Sequence, residues 1–140
     1  MANLLHANDA GSALSGNDGD DTLWDGAGND GITGRIGNDT ILGSLGEGDT
    51  DGGSGIDRLD FTAVLAESSV TINLAAGQVN LSTGAFQFVF SIGNATGGRG
   101  ADALTGGGNG ILSGGNGKDI LKGGKGNDRF SLTAIARSTH

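Results

Sequence analysis

The sequence predicts an all-β fold: short parallel strands wound into a coil, with two nine-residue repeats to each turn of the coil. Three observations predict it. Blocks of nine run unbroken from Gly16 to Asp60, as GNDGDDTLW, DGAGNDGIT, GRIGNDTIL, GSLGEGDTD and GGSGIDRLD. Three residue classes stay in phase along them: glycine at the fourth position (Gly19, Gly28, Gly37, Gly46, Gly55), Asp at the sixth (Asp21, Asp30, Asp39, Asp57) and an apolar residue at the eighth (Leu23, Ile32, Ile41, Leu59). The register returns near the other end, in GGRGADALT from Gly97 and in GGNGKDILK and GGKGNDRFS from Gly114 to Ser131. A fixed short period marks a repeat architecture, in which each unit buries its apolar face only by stacking on neighbours.

Each block divides into two parts. The first six residues make a turn, because their glycines accept positive φ and let the backbone curl tightly. The last three make a minimal strand with one apolar side chain inward and its two neighbours outward. Strands one coil apart then stack in parallel at ~4.8 Å, which predicts two facing sheets, about eight coils and a rod roughly 35–40 Å long.

Along the chain, residues 1–15 read as a degenerate N-terminal cap ending in a worn copy, ANDAGSALS. Residues 16–60 form a first block. Residues 61–96 lose the Gly-Asp pattern but keep strand character in Val70–Leu74 and Phe86–Ile92. Their span equals four repeat lengths, so the coil is expected to continue or link through them. Phe86, Phe88, Phe90 and Ile92 share one face at period two. That face either widens the apolar core or is an exposed patch used for assembly. Residues 97–131 form a second block, with Leu104, Leu121 and Phe130 at the eighth position; within it GGGNGILS (106–113) is one residue short and lacks the Asp. Residues 132–140 are a C-terminal tail.

Composition narrows the function. Of 140 residues 30 are glycine, Pro, Cys and Tyr are absent, and the net charge is −8. That charge argues against nucleic acid, whose phosphates need a basic surface. No apolar run is long enough to span a bilayer, and without cysteine there are no disulfides or thiolate metal sites. Met1–His6 has neither the basic nor the apolar region of a secretory leader, so export would need a route that does not read the N-terminus. The two histidines, His6 and His140, stand at opposite ends, so no Ser-His-Asp arrangement is expected, and the Gly-rich stretches lack the Lys-Ser/Thr of a phosphate loop. Trp24 occupies an outward ninth position, where it could stack on a sugar ring or a neighbouring subunit.

The acidic residues carry the most information. Asp supplies 14 of the 16, the exceptions being Glu47 and Glu67. A short carboxylate in a turn, next to main-chain carbonyls, suits a hard cation. A pliable all-oxygen site favours Ca²⁺ over Mg²⁺; Zn²⁺ would want His or Cys. No Glu stands where an EF-hand loop needs one. The apolar side chains are too few to offset the ordering of so glycine-rich a chain, and stacked coils bring Asp columns together. Cations that bind only the folded form would stabilise it by mass action, so the metal-free chain is expected to be largely unfolded.

The phased blocks resemble the RTX (repeats-in-toxin) family, with its pattern G-G-x-G-x-D-x-U-x. The resemblance implies a right-handed parallel β-roll, a β-solenoid with Ca²⁺ in its turns, each ion lying between turns one coil apart. Carried over position by position, it implies one site from Asn17, Gly19 and Asp21 with Gly34, Ile36 and Asp39. A second would use Arg35, Gly37 and Asp39 with Gly52, Ser54 and Asp57, and a third Gly98, Gly100 and Asp102 with Gly114, Asn116 and Asp119. Asp30 and Asp128 are weaker candidates, since the turns across from them lack an Asp. The resemblance further implies a non-catalytic structural protein, secreted by a type I route or held at the cell surface. It would fold when it meets calcium. Self-assembly as a homo-oligomer, filament or surface layer is expected on a separate ground, since bound ions would bring the net charge of −8 towards zero. The tail after the last repeat is shorter than the flank usual in that family. The alternative is a secretion, folding or acidic-polysaccharide-binding module of a larger secreted enzyme.

Overall fold

The computed structural model describes residues 1–64 and 68–131; the tail at 132–140, His140 and Glu67 lie outside them. The first block holds β1 (Leu4–His6), β2 (Ala13–Asp18), β3 (Thr22–Trp24), β4 (Asp30–Ile36), β5 (Thr40–Leu42), β6 (Gly48–Ser54) and β7 (Arg58–Asp60). The middle holds β8 (Val70–Asn73), β9 (Gln78–Leu81), β10 (Phe86–Phe90) and β11 (Asn94–Thr96). The second block holds β12 (Ala103–Thr105), β13 (Ile111–Ser113), β14 (Ile120–Lys122) and β15 (Arg129–Ser131). Among the described residues there is no helix, and so none long and apolar enough to cross a membrane.

The strands form two sheets. One has seven strands in the order β1-β3-β5-β7-β11-β13-β15, all parallel. The other has eight, in the order β14-β12-β8-β9-β10-β6-β4-β2. The chain alternates between the sheets, as two repeats per coil require. In the first block Leu23 aligns with Ile41 and Ile41 with Leu59 in one sheet, and Leu14 with Ile32 and Ile32 with Thr50 in the other. In the second block the short 106–113 repeat tightens the register by one residue, so Ala95 aligns with Leu112 and Leu104 with Leu121.

The core is the column of eighth-position side chains. Leu23, Ile32, Ile41, Leu59, Leu104 and Leu112 are buried to within 2 % exposure, and Val70, Ile72, Val79, Leu81 and Val89 continue it through the middle segment. Each such side chain contributes about 1.5–3 kcal/mol by leaving water. Leu121 is only half-buried, and Phe130, expected to point into the core, is 50 % exposed. The reason is position: both belong to the last described coil, at the end of the stack of described strands.

The middle segment departs from the regular coil. The coil does not continue through it at one strand per repeat. In the seven-stranded sheet β7 pairs directly with β11, so the segment contributes a single coil there and the total is seven strands deep, not eight. In the other sheet the same residues fold into a meander, β8 antiparallel to β9 and β9 antiparallel to β10, and β10 rejoins the parallel stack on β6. The turns between them end on Gly77 (φ 70°) and Gly84 (φ 94°), left-handed positions that glycine adopts without strain. Of the two readings of the aromatic face, the structure favours exposure over a wider core. Gln87 and Val89 point inward, whereas Phe88 and Phe90 are 45 % and 51 % exposed. The Phe86 and Phe88 rings meet edge to face with centroids 4.7 Å apart, and Phe88 stacks towards Phe90 at 6.4 Å. The three phenylalanines are therefore an outer ladder and do not widen the core.

Candidate metal sites in the turns

The turns that precede the seven-stranded sheet stack directly on one another. In 16–21, 34–39 and 52–57 the second and fourth positions are left-handed: Asn17 (72°) and Gly19 (119°), Arg35 (83°) and Gly37 (145°), Gly53 (92°) and Gly55 (126°). The Gly19 N–H donates to the Ile36 carbonyl at 2.8 Å and the Gly37 N–H to the Ser54 carbonyl at 3.0 Å. A carbonyl oxygen has two lone pairs, so each of these keeps one. The Ile36 and Arg35 side chains are exposed, leaving only main-chain oxygens of those residues to face the site.

The sixth-position aspartates form a ladder. The Asn3 N–H donates to Asp21 Oδ1 at 2.7 Å, the Asp21 N–H to Asp39 Oδ1 at 2.8 Å, and the Asp39 N–H to Asp57 Oδ1 at 2.8 Å. One carboxylate oxygen of each is thus spent on the preceding coil. The other is not spent. Oδ2 of Asp21, Asp39 and Asp57 is buried and has no hydrogen-bond partner, as is true of Oδ2 of Asp30 and Oδ1 of Asp128. The Oδ2 atoms of Asp21, Asp39 and Asp57 each face the first glycine of their own turn and a carbonyl of the next coil. A Cβ at Gly16 would lie 2.5 Å from Asp21 Oδ2 and 2.8 Å from the Gly34 carbonyl. One at Gly52 would lie 2.6 Å from both Asp57 Oδ2 and the Ser91 carbonyl. A Cβ at Gly34 would overlap Asp39 Oδ2 and the Gly52 carbonyl. Glycine at the first position therefore keeps open a small chamber lined with oxygen.

Buried anionic oxygens without a donor are costly and are found where a cation compensates them. Here no side-chain cation does so: the single ion pair among the described residues joins Arg58 to Asp60 at 3.3 Å. Burial pushes the carboxyls of Asp39 and Asp57 up, against the lowering effect of the N–H groups that bind them and with neighbouring aspartates adding to the rise. Among the described residues no three His, Cys, Asp or Glu side chains converge on one point, so any ion here would take two carboxylates and complete its shell with main-chain carbonyls. That mixed oxygen set suits Ca²⁺.

The predicted site residues fall as follows. Asn17, Gly19 and Asp21 stack on Gly34, Ile36 and Asp39, and Arg35, Gly37 and Asp39 stack on Gly52, Ser54 and Asp57. At the third set the turn 97–102 lies over 114–119: the Asn116 N–H donates to the Gly98 carbonyl at 3.1 Å and the Asp102 N–H to Asp119 Oδ1 at 2.9 Å. Gly115 and Gly117 are left-handed there, but no residue of 97–102 is. Asp102 also differs from the ladder above, because its two oxygens accept from Val70 N–H and Gly98 N–H, each at 2.8 Å. Burial still pushes its carboxyl up, and a Cβ at Gly97 would come within 2.6 Å of both Asp102 Oδ2 and the Gly114 carbonyl. Asp30 accepts from the Ser12 N–H at 2.6 Å. Asp128 Oδ1 faces Gly106 of the Asp-less short repeat.

Several features escape a reading of the repeat alone. A second ladder runs in the opposite sense at the fifth position. Asp20 Oδ1 accepts from the Asn38 N–H, Asn38 Oδ1 from the Ile56 N–H, and Asn109 Oδ1 from the Asn127 N–H, at 2.7–2.8 Å. The recurrence of Asp or Asn at that position was its signal. Ser91, left-handed at φ 57°, brings its carbonyl to the Asp57 turn from outside any repeat. Trp24, at its outward position, stacks on His6 of the adjacent coil at 4.7 Å. Asp25 stands at a first position reserved elsewhere for glycine, and it is 4 % exposed. Burial pushes its carboxyl up to about 7, the Ser44 hydroxyl working against this and the charge of Asp30 adding to it.

Parallel coils whose stacked turns enclose unpartnered carboxylate oxygens define a metal-binding β-solenoid. The RTX calcium-binding nonapeptide repeat, in 4 copies, matches residues 14–48 and 104–133. The chain carries RTX calcium-binding repeats, and calcium is the metal that this repeat binds. No curated protein matches the chain as a relative. Asp57 and Asp102 lie outside the matched residues, yet the carboxylate ladder continues through both.

Proposed function

We propose that this is a non-catalytic structural protein that folds on Ca²⁺ outside the cell and then self-assembles. The observation that carries the reading is the set of buried, unpartnered oxygens on Asp21, Asp30, Asp39, Asp57 and Asp128. Ions between the turns would be held by Asp21 and Asp39 with carbonyls of Asn17, Gly19, Gly34 and Ile36. They would be held in the same way by Asp39 and Asp57 with Arg35, Gly37, Gly52 and Ser54, and by Asp102 and Asp119 with Gly98, Gly100, Gly114 and Asn116. Bound there, Ca²⁺ supplies the positive charge that lets carboxylates one coil apart ionise together. Because the ion binds only the stacked turns, its binding energy is folding energy. Extracellular calcium is abundant enough for weak sites, which suits a chain exported unfolded.

Self-assembly draws on two further features. The net charge of −8 falls towards zero as ions load, and low net charge favours association. The Phe86, Phe88 and Phe90 ladder offers an apolar strip on the outer surface. The test is circular dichroism during a Ca²⁺ titration, with sedimentation on the same samples. The expected result is a coil spectrum in chelator, a cooperative gain of β signal with calcium, and a rise in mass that follows it. A full β signal in chelator would overturn the folding claim, and a monomer at saturating calcium would overturn the assembly claim.

A further inference from the structure

The two repeat blocks differ in charge. Residues 1–60 hold 12 acidic and 2 basic residues, whereas 97–131 hold 3 acidic and 5 basic ones, among them every lysine of the chain. The acids of the second block, Asp102, Asp119 and Asp128, are buried or half-buried in their turns, while Arg99, Lys118, Lys122, Lys125 and Arg129 are exposed. Among the described residues none of these cations forms an ion pair. Their charge therefore faces outward.

The outer face of the eight-stranded sheet sets both charges in one line. Because the strands pair in fixed register, Asp49, Phe88, Gln78, Asn73, Thr105 and Lys122 stand side by side across β6, β10, β9, β8, β12 and β14. Their chain neighbours Thr50, Val89, Val79, Ile72 and Leu104 are buried, so alternation along each strand turns this line towards solvent. An acid and an aromatic ring mark one end of it, a small residue and a lysine the other. In the line beside it Phe86 aligns with Asn80, and Ala103 with Ile120, which is 61 % exposed.

The face is self-complementary. A second copy, turned about a two-fold axis that runs along the strands between β8 and β9, lays β14 on β6, β12 on β10 and β8 on β9. Lys122 then meets Asp49, the small Ala103 and Thr105 receive the Phe86 and Phe88 rings, and the amides of Asn73 and Gln78 meet at the centre. Each contact occurs twice, as two-fold symmetry requires. An axis along the stack would instead lay lysine on lysine, and like charges opposed across an interface are costly.

We infer that the outer face of the eight-stranded sheet is a two-fold interface with a second copy of this chain, the basic β14 strip of one copy seated on the Asp49–Phe88 strip of the other. The inference rests on the self-assembly reading and adds to it a partner face, an axis and a stopping point, because a contact of this symmetry closes at two copies. A polyanion would match the lysines alone; a second copy matches both halves of the face.

Charge exchange tests it. Sedimentation equilibrium at saturating Ca²⁺ measures the association of wild type, Lys122→Glu, Asp49→Lys and the double variant, with circular dichroism to check that each folds. Both positions are exposed, and such surface substitutions change stability little. Wild type is expected to dimerise, less tightly in high salt. Each single variant should dimerise at least roughly 10-fold more weakly, since the reversed charge meets its like twice, and the double variant should recover. Single variants that dimerise like wild type, a double variant no better than the singles, or a mass that grows past two copies overturns the inference. A monomeric wild type overturns the self-assembly reading itself, a distinct result. Binding of polygalacturonate by that monomer, lost in Lys122→Glu, would assign the lysines to a polyanion instead.

Discussion

At the scale of single residues, the sixth-position aspartates of the first block do two jobs with two oxygens. Asp39 shows the division: Oδ1 fastens the Asp21 N–H at 2.8 Å, and Oδ2 is left facing the Gly34 chamber. The first-position glycine is therefore required for space as well as for flexibility, which can be tested against a glycine that is not. Gly34→Ala pushes a methyl group into Asp39 Oδ2 and the Gly52 carbonyl, whereas nothing lies within 4 Å of a Cβ on Gly31. In saturating Ca²⁺, Gly34→Ala is expected to destabilise the fold by about 1–3 kcal/mol. Gly31→Ala should change it by no more than about 0.5 kcal/mol, both read by thermal melting. The aspartates were legible in the sequence because their phase repeats. Their split duty was not, because the partner is a backbone N–H of the same position one coil away, invisible until the stacking is known. Asp25 was illegible for the opposite reason: it departs from the phase that makes the others visible.

At the scale of elements, the regular strands follow from the three-residue x-U-x unit, and the register from keeping nine residues per block. The middle segment obeyed neither. Its strands were legible from alternation in Val70–Leu74 and Phe86–Ile92, but its length, a whole number of repeats, suggested two ordinary coils. Local turn chemistry won instead, with Gly77 and Gly84 closing hairpins of the β8–β9–β10 meander. Gln87 explains why β10 then docks on β6. Its buried Nε2 donates to the Gly46 carbonyl at 2.6 Å, tying the meander to the turn that has no Asp. Gln87→Ala leaves that carbonyl unpaired and is expected to cost about 1–3 kcal/mol in urea unfolding of the calcium-loaded form. The neighbouring Phe88→Ser, on the outer ladder, should cost less than about 1 kcal/mol. Its expected effect is on association: the sedimentation coefficient at saturating calcium should drop towards that of the monomer. A variant that assembles like wild type would remove the aromatic ladder from the interface.

At the scale of the whole molecule, the chain carries 16 acidic residues against 8 basic ones, and the buried acids set how stability responds to pH. Burial raises the carboxyls of Asp25, Asp39, Asp57 and Asp102, Asp25 to about 7 from 3.8. A group raised in the folded state binds its proton more tightly there than in the unfolded chain. The stability it contributes is complete below pH 3.8 and is lost as pH rises, for Asp25 up to about 7. Repulsion within a chain of net charge −8 grows over the same window. Calcium-free protein is therefore expected to be most ordered near pH 4 and to lose β signal between pH 4 and 7. Ca²⁺ inverts the trend, because it takes the place of those protons: its affinity should fall as pH drops from 7 to 5, and loading at pH 6 should release protons into the buffer. Melting curves across this range with and without calcium, and calorimetry in two buffers of different ionisation enthalpy, measure both effects. Stability of the calcium-free chain that rose from pH 4 to 7 would mean that these carboxylates are ionised and satisfied without a metal.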